Sequence, residues 1–367
     1  MATYGVEESD IPLMPRNIAQ NVDNAIPILA TSVEPHFARL EAKLKRELGE
    51  TVLHLLAAQD TEDIVLNPDS SLWAKRMSKE FERVGAMAPA QGASVLNTIA
   101  AWKGTVMNHD RPVLETELPL DGSRFEGIVS PVVRNPVFAI RLRPKRIFTL
   151  ADYESTGILT GKDDTRNRTG ARMSFAEAIR GVDHRNVICA AIEARKNILV
   201  VGATGSGKTT LVNAVLDELC RIAPNDRVIS IEDTTELQCS VSNYVDLRAV
   251  GELSMLDCLR ACMRLKPTRI VVGEVRGAEA HTMLKAWNTG HPGGAATVHA
   301  NDALSGLIRM ESLVAEATSA PQQTLIAEAI DLVVFVDQEA GLQAGRKVRE
   351  VMVVSGYRDG RYEVEYV

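Results

Sequence analysis

Gly202-Ala203-Thr204-Gly205-Ser206-Gly207-Lys208-Thr209-Thr210 follows directly on the apolar run Ile198-Leu199-Val200-Val201. This succession predicts a buried strand, a phosphate-binding loop and a helix that opens at Lys208. Gly205 and Gly207 accept backbone angles that turn successive N–H groups inward, and the helix adds its positive N-terminal end. Lys208 then reaches the β- and γ-phosphates of a bound triphosphate, and the Thr209 hydroxyl stands where a ligand of Mg²⁺ is needed. Whether the nucleotide is only bound or also consumed depends on what lies beside the loop.

Around this loop helices and strands alternate, which predicts a mostly parallel α/β sheet covered on both faces. The expected elements are a helix from Asp183 to Arg195, strands at 198–201, 228–231, 270–272, 296–298 and 332–336, and helices from Lys208, from Ser254 and beyond Asp302. A further helix ends near Asn288, Ser174 and Glu177 form a capping-box pattern, and a C-terminal hairpin turns at Asp359-Gly360. Ligands of such sheets sit beyond the carboxyl ends of the strands. Three strand ends carry capable residues: Glu232-Asp233-Thr234-Thr235-Glu236, Gly273-Glu274, and His299. Together they offer carboxylates for Mg²⁺ and its waters and a base for an attacking water. Taken singly, each acid is also readable as a helix cap or a surface pair, and His299 as a structural histidine.

The 367-residue length suits two domains, and 45% hydrophobic with 24% charged residues is a globular composition. Residues 1–33 carry Pro12, Pro15 and Pro27 without a sustained period and read as an arm. From 34 to 150 a smaller α+β domain is expected. Phe37, Leu40, Leu44 and Leu48 recur at helical spacing, Asn67-Pro68-Asp69-Ser70 turns a hairpin between 64–66 and 72–73, and a helix spans Ala90 to Trp102. In Phe138-Ala139-Ile140-Arg141-Leu142-Arg143 the apolar residues face a core, while Arg141 and Arg143 project together as a phosphate clamp or a solvated face. Residues 151–173 read as a linker and 174–367 as the nucleotide domain.

No stretch approaches the roughly 20 apolar residues of a membrane span, and the N-terminus lacks a signal core, so a cytoplasmic location is expected. A net charge of −7 and 4% aromatic residues argue against stable nucleic-acid binding. The five cysteines form no CxxC pair and read as buried thiols.

GATGSGKTT, ISIEDTTELQ, RIVVGEVRG and TGHPGGAATVHAN, in that order, resemble the Walker A, Asp, Walker B and His boxes of the type II and type IV secretion ATPases. KAWNTGHPGG with CMRLKPTRI resembles the VirB11 branch, and LNPDSSLW, SRFEGIVSPVV and FAIR resemble the TrbB-like conjugative-transfer ATPases. The resemblance runs from about residue 35 to the end. It implies a RecA-like P-loop domain, ATP with Mg²⁺, and a homohexameric ring holding each nucleotide between the two domains of a subunit. It further implies attachment from the cytoplasm to inner-membrane components of a type IV secretion system. Carried over residue by residue, Arg124, Arg141 and Asn67 contact nucleotide, Glu236 is the general base, and Glu274 serves Mg²⁺ through water. Arg264 and Arg248 are candidates to stabilise transition-state charge, and His291 and His299 to sit near the γ-phosphate. The readings to be separated are a conjugative secretion motor, a tight-adherence or type IV pilus-assembly ATPase, a DNA-stimulated hexameric translocase, and a regulatory module that binds ATP without hydrolysis.

Overall fold

The computed structural model describes residues 27–145, 149–159 and 175–367. Helix α1 (Pro27–Ala57) begins inside the segment expected as an arm, with a proline at its first position, where the missing N–H costs nothing. Residues 1–26 lie outside the described residues. Beyond a kink at Gly49 the helix continues, and Leu44, Leu48, Val52 and Leu55 form one buried stripe. That stripe meets Val95, Leu96 and Ile99 of α2 (Pro89–Trp102). Each such side chain, fully buried, contributes about 1.5–3 kcal/mol.

Both helices lie on one face of an antiparallel sheet formed by β1 (Thr61–Leu66), β2 (Ser71–Arg76), β3 (Phe81–Ala86), β4 (Val113–Glu117), β5 (Arg124–Ile128) and β6 (Val137–Arg141). The strand order is β3-β2-β1-β6-β5-β4. The expected hairpin joins β1 to β2, its turn closed by the Ser70 N–H donating to the Asn67 carbonyl at 3.0 Å. On β6, Phe138 and Ile140 enter the helical core as their alternation predicts. Val137 and Ala139 on the other face are buried as well, because that face packs on the second unit. Arg141 and Arg143 remain exposed at its rim.

A short helix, α3 (Leu150–Ser155), begins at the last residue of the first expected domain and runs into the span expected as a linker; a capping box of Thr149 and Asp152 opens it. Ser174, half of the other expected capping box, lies outside the described residues. The second unit then runs α4 (His184–Glu193), β7 (Ile198–Val201), α5 (Lys208–Ile222), β8 (Val228–Glu232), β9 (Tyr244–Arg248), α6 (Met255–Arg264) and β10 (Arg269–Val272). It continues with α7 (Glu279–Asn288), β11 (Ala295–Val298), α8 (Ala303–Ala315), α9 (Gln323–Ala329), β12 (Leu332–Gln338), β13 (Arg346–Arg358) and β14 (Arg361–Tyr366). Its eight strands follow the order β14-β13-β12-β7-β11-β10-β8-β9, parallel from β12 to β9 and antiparallel for the last two elements of the chain.

The period of two along β7 sends Ile198 and Val200 into a core with α4 and α5, and Leu199 and Val201 into a core with α6 to α9. Strand β9 escapes a sequence reading because its parallel crossover from β8 contains no helix and its residues are only half apolar. Val65, Trp73, Ile128 and Ala139 of the first sheet join the core on the α6–α9 side, so the two units share apolar packing. Among the described residues no helix is long and apolar enough to cross a membrane.

Candidate active site

The loop from Gly202 to Gly207 leaves β7 at its carboxyl end and delivers Lys208 at the first turn of α5. Gly207 caps the helix with φ 94°, a left-handed conformation that a side chain would resist. Ala203, Thr204 and Gly205 are exposed, Thr209 is half-buried, and the first N–H groups of the helix have no intrahelical acceptor. The Ser206 hydroxyl is buried without a hydrogen-bond partner. A cradle of free amides with a lysine at its end fits the polyphosphate of ATP.

The three expected strand ends converge here. The Lys208 ammonium donates to the Ala203 carbonyl at 3.0 Å and lies 3.1 Å from His299 Nδ1. His299 Nε2 is 2.9 Å from one oxygen of Glu274, whose other oxygen accepts from Arg276 at 2.9 Å. Arg276 also pairs with the Asp233 carboxylate. Burial pushes the Lys208 pKa down, opposed by the charges of Glu274 and Glu236. Arg276 holds the Glu274 carboxyl below its ordinary range, with smaller help from His299 and Lys208.

Glu232 and Glu236 divide the work of the acidic segment. Glu232 is buried and one of its oxygens accepts the N–H groups of Glu236 and Leu237, each at 2.9 Å. It therefore shapes the turn that presents the exposed Glu236. Asn213 of α5 holds the same turn through the Glu236 carbonyl and the Gln238 N–H. Gly273, standing where many nucleotide hydrolases have Asp, makes room for this arrangement. A Cβ there would lie 2.8 Å from Glu232 Cγ.

Other expected site residues fall elsewhere. Arg124, Arg141 and Arg264 do not approach the phosphate loop of their own chain. They gather with Lys266 and the buried Glu126 in a pocket of about 200 Å³ between the two units. Arg124, Arg141 and Lys266 also line an adjoining cleft of about 1320 Å³, together with His291. Lys266 and His291 precede β10 and β11, so this pocket lies at the amino edge of the second sheet. The length of a four-residue strand, roughly 13 Å, separates it from the edge that carries Glu274 and His299. Arg264 pairs with Glu115 and His291 bonds the Pro267 carbonyl at 2.8 Å, which keeps His291 away from the phosphate loop of its own chain.

Arg124 and Arg141 are direct cross-strand partners and hold no ion pair among the described residues. Arg248 stays at the carboxyl edge, its Nε donating to the Asp233 carbonyl at 3.3 Å.

Asn67 is 1% exposed, which seals it from nucleotide on its own chain. Its side-chain carbonyl accepts from Arg227 at 2.6 Å and its amide donates to Asn243 at 2.9 Å, tying the β1–β2 turn to the second unit.

Two residues at the site escape a reading of the motifs. Arg276, two positions past Glu274, links Glu274 to Asp233. Arg346, far along the chain, donates to the Thr210 hydroxyl at 3.0 Å. The first could be found from the i,i+2 spacing of its motif. The second has no local signal, because only the pairing of β12 with β7 carries β13 to the loop.

Residues 171–343 match the family model described as type II/IV secretion system protein. The chain is 41% identical over 328 residues to the conjugal transfer protein TrbB of Rhizobium radiobacter, covering 89% of this chain and 94% of that one. It is 30% identical over 360 residues to the type IV secretion system protein PtlH of Bordetella pertussis, covering 92% and 99%. Among solved structures, the VirB11 ATPase of the Brucella suis type IV secretion system, in complex with sulphate, superposes with a TM-score of 0.77 at 25% identity, covering 86% and 96%. With a phosphate cradle and converging lysine, glutamate and histidine, and with likeness of this extent across both units, the chain belongs to the VirB11/TrbB-like ATPases of the type II/IV secretion family.

Proposed function

We propose that this ATPase is the motor of a conjugative type IV secretion system, working as a homohexameric ring in which nucleotide sits between subunits. The observation that carries the reading is the pair Arg124 and Arg141. Two guanidiniums opposite each other on neighbouring strands repel, and they hold no carboxylate among the described residues, so an anion is the natural occupant. Their own phosphate loop is on the far edge of the sheet, which makes the nucleotide of a neighbouring subunit the fitting anion. This differs from a nucleotide clasped within one subunit.

In this reading residues 34–150 form the α+β domain and 174–367 a RecA-like ATPase domain joined by residues 151–173. Lys208 neutralises the β- and γ-phosphates. Glu236, presented by the turn that Glu232 holds, takes the proton of the attacking water. Thr209 and Glu274 would hold Mg²⁺, which supplies positive charge to the phosphates when bound. His299, touching both Lys208 and Glu274, relates the state of the loop to that of the carboxylate. The basic pocket links hydrolysis at one subunit to the domain interface of the next, and so to inner-membrane components of the machinery.

Mixing two inactive variants tests the arrangement. Lys208→Ala and the double variant Arg124→Ala/Arg141→Ala are each expected to lack turnover alone. Mixed rings regain part of it, because some sites then combine an intact loop with intact arginines from the neighbour. Mixed rings as inactive as either parent refute a shared site.

A further inference from the structure

We propose that Arg346 is a nucleotide-binding residue supplied by the C-terminal hairpin of the same chain, and that it holds the α-phosphate. The inference rests on the loop at Gly202–Thr209 being the nucleotide site, and on the geometry around it. Strand β12 runs parallel to β7, with Phe335 beside Val201, the last residue of β7. It then continues through Gln338, past the point where the chain of β7 turns into the loop. Its partner β13 begins at Arg346, opposite Gln338. The tip of this hairpin thus forms a second wall for the phosphate loop.

Arg346 contacts the loop directly. Its guanidinium donates to Thr210 Oγ1 at 3.0 Å and packs on Gly207, where a Cβ would meet it at 2.3 Å. Among the described residues its other hydrogen bond is to the Ala344 carbonyl of its own turn, and it forms no ion pair. Its neighbour Arg349, in contrast, is neutralised by Asp337 and Glu339. An unneutralised guanidinium lying on phosphate-binding backbone is placed for an oxyanion, and arginine donates to phosphate in a bidentate manner.

The position along the nucleotide follows from what surrounds each end of the loop. Lys208, His299 and Glu274 mark the γ end. Arg346 meets Gly207 and Thr210, and no contact joins it to His299 or Glu274. Thr210 lies beyond Thr209, the Mg²⁺ position between the β- and γ-phosphates, so the free donors of Arg346 face the α-phosphate end. A contact there is made equally to ATP and ADP.

Titration of the full-length protein with a fluorescent ADP and with a non-hydrolysable ATP analogue tests this. Arg346→Ala is expected to weaken both about tenfold, by the same factor, with an unchanged melting temperature of the nucleotide-free protein. Arg346→Lys recovers part of the loss. In turnover, KM rises while kcat stays within about twofold, as for a contact equal in ground and transition states. Unchanged or tighter ADP binding by Arg346→Ala overturns the proposal, and so does a loss confined to the ATP analogue. Lys208→Ala separates the two readings: if it too leaves the affinity for the ATP analogue unaltered, the loop itself is not the nucleotide site.

Discussion

Replacing Asn67 with Ala removes the acceptor that a buried arginine uses to join the two units. Arg227 is fully buried, burial pushes its pKa down, and no carboxylate forms an ion pair with it among the described residues. Its donors meet the Leu265 carbonyl at 2.7 Å, the Asn67 carbonyl at 2.6 Å and the Asn243 side chain, while one terminal nitrogen has no partner. Loss of a hydrogen bond to a charged group costs about 1.5–3 kcal/mol, and loss of the Asn67–Asn243 bond about 1 kcal/mol more. The sum is about 3 kcal/mol, equivalent to a fall of about 6–12 °C in melting temperature for a unit of this size.

Asn67→Asp lies between the two at neutral pH. Chemical denaturation measures the stability, and an ADP titration of the same proteins measures the loop. The reasoning is refuted if Asn67→Ala keeps wild-type stability and loses ADP affinity. That outcome would make Asn67 a nucleotide contact.

Three further outcomes follow from the site. Glu126 is raised to about 8, chiefly by burial, so between about pH 4.5 and 8 the folded protein holds a proton that the unfolded chain releases. Stability should therefore fall on the order of 4 kcal/mol across that window and level off above it, and Glu126→Gln should flatten the profile of denaturation against pH. Arg276→Ala releases Glu274 from the charge that lowers its pKa, which moves the acidic limb of the kcat profile to higher pH while ADP affinity is retained. Gly273→Ala drives a methyl against Glu232 and disturbs the turn that carries Glu236. Steady-state kinetics should show kcat reduced by about tenfold or more, with nucleotide affinity little changed.

Much of the nucleotide edge was legible in the sequence. Glycine spacing and an apolar strand fix the phosphate loop locally, and the carboxyl-end rule brings Glu236, Glu274 and His299 to it. The first sheet was legible only in part, since Val137 and Ala139 are buried by a partner surface far away in the chain. That Arg124, Arg141, Arg264 and His291 lie away from the phosphate loop of their own chain was hidden for a similar reason. A motif preserves residue types but does not state at which end of a strand they lie. His291 lies before β11 and His299 after it, and the length of that strand separates them.

The local chemistry is written in short stretches of sequence: a phosphate cradle, the acids and the histidine beside it, the capped helices and the alternating strands. Each depends on backbone preference and side-chain periodicity over a few neighbouring residues. Packing between distant elements makes Asn67 a buried tie to Arg227, sets Glu232 beneath Glu236, and lays Arg346 on the phosphate loop. These contacts join elements through sheet order, edge packing and burial, which depend on all the strands at once and leave no mark at any single position.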